Sequence, residues 1–145
     1  MQPAAAVLVV IALVAIAAVA GVVWRARTGR ARAAHEGAIA PADLGVERFG
    51  KRATFVQFST EYCSPCRAAH SMLHALAAER DGVEHLDVDL TARPELAGRF
   101  RILQTPTVLL IDGAGTVRTR IGGAPRRHEV IAVVDELLRE NSVGV

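Results

Sequence analysis

The chain is poor in cysteine, aromatic side chains and lysine. Its 145 residues include two Cys, one Trp, one Tyr and four Phe, and Lys51 is the single lysine beside 16 Arg. Two cysteines exclude a disulfide-stapled mini-protein, which needs several bridges to replace a core. Net charge is low as well, +2 at pH 7, and 51% of the residues are apolar. That combination excludes a disordered chain, because little repulsion opposes collapse. With 17 basic against 15 acidic residues, nothing calls for a nucleic-acid partner, and none is expected.

What is present is unevenly placed. Residues 1–24 carry no charged side chain, and 21 of them are apolar. The remaining 121 residues hold 53 apolar ones, an ordinary share for a soluble domain. Ala4 to Trp24 would make a helix of about 31 Å, enough to cross a hydrocarbon core of about 30 Å. Trp24 falls at an interfacial position, and Arg25, Arg27, Arg30 and Arg32 follow it. Ala18-Val19-Ala20 resembles a signal-peptide cleavage site. Against cleavage, no Lys or Arg precedes the run, and the run exceeds the ~7–15 apolar residues of a signal peptide. The expected division is a single-pass anchor over 1–24, a basic juxtamembrane tether over 25–43 and a globular domain over 44–145. The Arg cluster after the anchor predicts that the domain stays on the cytoplasmic side of the cell membrane.

Within the domain, the residues alternate between strand and helix patterns. Ala53–Ser59 reads as a strand, with Phe55, Val56 and Phe58 in a short apolar run. In Cys66–Arg80, Ala69, Met72, Leu73, Leu76 and Ala77 share one helical face. Val83–Asp89 reads as a second strand, Arg93–Phe100 as a short helix, and Val108–Asp112 as a buried strand. Gly113-Ala114-Gly115 turns the chain into Val117–Ile121. Val130, Val133, Val134, Leu137 and Leu138 mark a last amphipathic helix. This order predicts an α/β fold with a mixed central sheet flanked by helices.

The chemistry lies at Cys63-Ser64-Pro65-Cys66, between the first strand and the first domain helix. A thiolate at a helix N-terminus meets unpaired N–H groups and the positive end of the macrodipole. Thiols of CxxC pairs in such positions ionise below the free value of about 8.5, and the thiolate is the attacking species. Cys63, the more exposed end, is the expected nucleophile, and Cys66 the resolving thiol. Pro65 suits the helix start and stiffens the turn. Ser64 leaves the approach open.

Tyr62-Cys63-Ser64-Pro65-Cys66-Arg67 resembles the Trp-Cys-Gly-Pro-Cys-Lys site of thioredoxins. Arg101-Ile102-Leu103-Gln104-Thr105-Pro106-Thr107 is similar to that family's cis-proline segment, and the likeness runs from about Ala53 to Leu138. The resemblance implies a thioredoxin fold, preceded here by one transmembrane helix, in a membrane-anchored protein of bacterial type. It implies a cis Pro106 beside the sulfurs and a substrate segment held by Tyr62, Ser64, Pro65, Thr105 and Pro106. It also implies protein disulfides as substrates, an electron donor that the residues do not identify, and no cofactor. The chain departs from the family pattern at Gln57, where thioredoxins have a buried Asp. It departs again at His85 for Lys, at Tyr62 for Trp and at Ser71 for a helix-kinking Pro. His85 reads as a solvated strand-end histidine, with a proton-relay role as the sharper alternative.

Other readings compete. The same fold facing outward would serve envelope or cytochrome maturation. Cys63, Cys66, His70 and His74 make a possible Cys/His metal set. His74 lies about 12 Å along the helix axis from Cys66, however, so one ion cannot reach all four, and no metal site is expected. An adaptor with incidental thiols would function unchanged after Cys63→Ser.

Overall fold

The computed structural model describes residues 3–34 and 36–143. Residues 1, 2, 35, 144 and 145 lie outside it, and with them the ends of the expected anchor and domain and one position of the expected tether.

The apolar head forms helix α1, Pro3–Arg27, none of whose residues is buried. Its most apolar window has a mean hydropathy of 3.1, so it is long and apolar enough to cross a membrane. The helix ends on Arg25 and Arg27, cations placed at the negative end of its dipole. Thr28 Oγ1 donates to the Trp24 carbonyl at 2.9 Å. Gly29, at φ 77°, then turns the chain. A Cβ there would collide with the Ala124 carbonyl oxygen.

The next segment differs from the sequence reading. Ala31–Ala33 forms strand β1 where free tether was expected, and it pairs antiparallel with β5, Val117–Gly122. Ala31 N–H also donates to the Glu129 carboxylate at 3.1 Å. Farther on, Ala38 bridges Thr116, and Pro41–Leu44 forms a 3₁₀ turn with Leu44 buried. Ala-Arg-Ala carries no strand signal of its own. A partner edge with free N–H and C=O groups supplies the structure instead.

The remaining elements follow the expected order. They are β2 (Ala53–Ser59), α2 (Ser64–Ala78), β3 (Val83–Asp89), α3 (Glu95–Arg99), β4 (Thr107–Asp112), β5 and α4 (Arg127–Val143). The helix expected at Cys66–Arg80 begins two residues earlier, because Cys63 acts as its N-cap. The sheet order is β1-β5-β4-β2-β3. The β2–β3 pair is parallel and the other pairs are antiparallel. All seven residues of β2 are buried, as suits a central strand covered on both faces. Phe55 and Gln57 point to the face covered by α2, where Leu73, Leu76, Leu110, Val130 and Val134 complete one core cluster around Phe55. Val56 and Phe58 point to the other face, with Leu44, Leu96, Leu109 and Ile111. The redox motif therefore starts at the C-terminal end of the most buried strand.

Candidate active site

Cys63 and Cys66 are joined by a disulfide, with their Cα atoms 5.2 Å apart. Cys63 is the N-cap of α2, Pro65 lies in the first turn, and Cys66 N–H donates to the Cys63 carbonyl at 3.1 Å. Burial separates the two cysteines. Cys66 is 4% exposed, one of the buried residues of α2, while Cys63 is half-buried at the start of the helix. Tyr62, next to it, is 93% exposed.

A second segment closes the site from the side. The Thr105–Pro106 peptide is cis, and Pro106 is buried. Thr105 and Thr60 hydroxyls meet at 3.3 Å, clasping the loop before Cys63 to the loop before Pro106. Thr107 Oγ1 donates to the Gln104 carbonyl at 2.7 Å, and Gly123 N–H donates to the Pro106 carbonyl at 2.8 Å. The structure thus brings Cys63, Cys66, Thr105 and Pro106 to one end of the sheet, with Tyr62, Ser64 and Pro65 on its rim.

Behind Cys66 lies a polar chain. Gln57 is 0% exposed, and its Nε2 donates to the Cys66 carbonyl at 2.9 Å. Its Oε1 is 3.1 Å from His85 Nε2, and since an amide oxygen only accepts, that ring nitrogen carries the proton. His85 does not stand solvated at a strand end. It is half-buried in mid-strand, diagonal to Gln57 across the parallel β2–β3 register, in which Phe55 pairs with His85 and Gln57 with Asp87. Burial pushes its pKa down to about 4, helped by His70 and His74 and opposed by Asp87. A ring neutral at pH 7 serves as an uncharged donor to Gln57.

His70 and His74 stack at 6.2 Å between ring centroids, and the His85 ring lies 4.8 Å from His70. His70 Nδ1 meets Asp87 Oδ2 at 2.9 Å, and Asp87 Oδ1 accepts from Ser59 Oγ. Among the described residues no three Cys, His, Asp or Glu side chains are arranged to hold one ion. The sulfurs of the Cys/His set are bonded to each other. The His85–Gln57 contact joins the two positions that the resemblance matches to the family's buried Asp and its accompanying Lys, whereas the Thr60–Thr105 clasp has no signal in the residues, since it needs two loops far apart in sequence to meet. For the His85–Gln57 contact, Gln57 between Val56 and Phe58 in the buried strand β2 was the available signal.

The thioredoxin family model matches residues 45–136. The chain is 36% identical over 67 residues to a thioredoxin of Chlamydia muridarum, covering 46% of this chain and 66% of that one. It is 30% identical over 67 residues to thioredoxin H2 of Arabidopsis thaliana, covering 46% and 50% respectively. The chain thus spans half to about two thirds of these relatives' length. Among solved structures, Fasciola hepatica thioredoxin superposes with a TM-score of 0.53 at 28% identity, covering 59% of this chain and 81% of that one. Chloroplastic thioredoxin z superposes at 0.54 with 27% identity, covering 60% and 79%.

Proposed function

The chain belongs to the thioredoxin family, and from that membership we propose that it is a membrane-anchored oxidoreductase reducing protein disulfides at Cys63 and Cys66. The observation that carries this reading is the cysteine pair at the N-terminus of α2, Cys63 partly exposed and Cys66 buried. In the reduced protein the Cys63 thiolate attacks one sulfur of a substrate disulfide. A mixed disulfide forms, and the first substrate thiolate leaves. The Cys66 thiolate then attacks Cys63 Sγ, and the second substrate thiolate leaves. Two electrons pass to the substrate, two protons reach its thiols, and the Cys63–Cys66 disulfide remains. A dithiol donor returns the pair to the reduced form. The N-terminal end of the α2 dipole lies at Cys63 and favours the negative charge of its thiolate, the attacking species of the first step.

Tyr62, Ser64 and Pro65 on one side and Thr105 and Pro106 on the other frame the approach to Cys63. Thr105 offers backbone groups for an extended substrate segment, a short addition of strand pairing. Helix α1, 25 residues long with no buried residue, supports a retained anchor, and its basic end supports a domain on the cytoplasmic side. That compartment keeps thiols reduced and favours the reductase direction.

Trapping tests the reading. The full chain carrying Cys66→Ser should accumulate mixed disulfides through Cys63, and Cys63→Ser should not accelerate insulin reduction by a dithiol above the uncatalysed rate. Acceleration that survives Cys63→Ser would refute the proposal. A C-terminal reporter active only outside the cytoplasm should stay silent, and activity there would place the domain on the outer side.

A further inference from the structure

The domain is not hung from α1 on a loose linker. Immediately after the helix, Gly29 N–H donates to the Gly122 carbonyl at 2.8 Å, and Arg126 donates to the Arg25 carbonyl at 3.1 Å. Strand β1 then joins β5 within four residues of the helix end. The joint is made to the Gly122–Arg126 turn, whose Gly123 is bonded to Pro106. The helix is therefore fastened to the side of the domain that carries the redox site.

The loop before Pro106 lies alongside this helix. A groove of about 930 Å³ has Ile16, Val19 and Val23 on one wall and Leu103, Gln104 and Thr107 on the other. Leu103 is 95% exposed. Arg101, two residues earlier, is the one non-glycine residue with positive φ (51°) among the described residues. Such a conformation persists only where the surroundings hold it. The rim is cationic. Among the described residues, its Arg27, Arg30, Arg32 and Arg101 are exposed and make no ion pair.

We propose that the loop Arg101–Gln104 rests in the headgroup layer of the anionic bilayer that α1 crosses, so that the redox site works against the membrane surface. Leu103 enters the boundary between headgroups and acyl chains, about 5–10 Å deep, as the apolar face of an interfacial segment does. The unpaired arginines meet lipid phosphates, each contact contributing favourably near an anionic surface. The occupant is lipid because the groove is continuous with the membrane-spanning face of α1 and its open rim carries unpaired cations. Through the Thr60–Thr105 clasp, contact at Leu103 holds Cys63 close to the bilayer. The substrates that reach it best are disulfides in membrane proteins, on segments lying near the surface. This inference rests on the anchor reading above.

Fluorescence in vesicles separates the two claims. The full chain is reconstituted in phosphatidylcholine and phosphatidylglycerol vesicles, with and without acyl chains brominated near the headgroup. Trp24, the only tryptophan, reports on the anchor. A Trp24→Phe, Leu103→Trp variant reports on the loop, and Trp24→Phe, Gln104→Trp is a second reporter at an exposed position. Quenched, blue-shifted emission from wild type and from the two loop variants is expected. Quenching of Trp24 with unquenched loop indoles leaves the anchor standing and overturns the docking. No quenching in any of the proteins overturns both.

Discussion

Acid should weaken this protein through His85 in a window that the structure defines. The ring is half-buried, donates to Gln57 and has its pKa lowered to about 4 from 6.5. Between those values the unfolded chain binds a proton that the folded protein refuses, so unfolding is favoured progressively as pH falls. The full gap corresponds to an upper bound of about 3 kcal/mol. Partial exposure of the ring lets solvent screen part of that, which leaves about 1–2 kcal/mol. His85→Gln keeps an N–H donor for Gln57 and removes the titration. Urea unfolding of the oxidised full chain in detergent, at about pH 7.5 and about pH 4.5, measures the loss for each protein. Wild type should lose about 1–2 kcal/mol more than His85→Gln, because the titrating groups away from the His70, His74 and Asp87 cluster are common to both. Equal losses would show that burial does not hold the ring neutral, and the argument for an uncharged donor behind Cys66 would fall.

Gln57→Leu should cost about 1–3 kcal/mol, since the buried Cys66 carbonyl and the His85 N–H both lose their partner; denaturant midpoints at pH 7 measure it. Gly29→Ala should destabilise the joint between α1 and the domain by about 1–2 kcal/mol, because a Cβ enters the left-handed region and meets the Ala124 carbonyl. Faster amide exchange across β1, in parallel with wild type, is the expected sign. Thr60→Val and Thr105→Val should couple by about 0.5–1 kcal/mol in a double-mutant cycle read by unfolding, as hydroxyls that share one hydrogen bond do. Leu73→Ala, at a fully buried position of α2, should cost about 2–5 kcal/mol and is checked the same way.

The residues by themselves determined the parts whose physics is local. A run of 21 apolar residues among 24 is a membrane-competent helix whatever surrounds it. Cys63-Ser64-Pro65-Cys66 ahead of an amphipathic stretch defines a dithiol at a helix start, because capping and spacing act within one turn. The alternation of strand and helix patterns likewise carried the mixed α/β sheet. Tertiary structure decided what depends on pairing between distant segments. Ala31–Ala33 became a strand only because β5 offers an unpaired edge, and no side-chain pattern in Ala-Arg-Ala encodes that. Gln57 and His85 became partners only because β2 and β3 run parallel in one register, and a slip of one residue would turn His85 to the opposite face. Burial, which distinguishes Cys66 from Cys63 and lowers the His85 pKa, is a property of the packed sheet and helices. A pair of cysteines can thus be read from its spacing, but what stands behind and beside it is set by contacts that sequence separation hides.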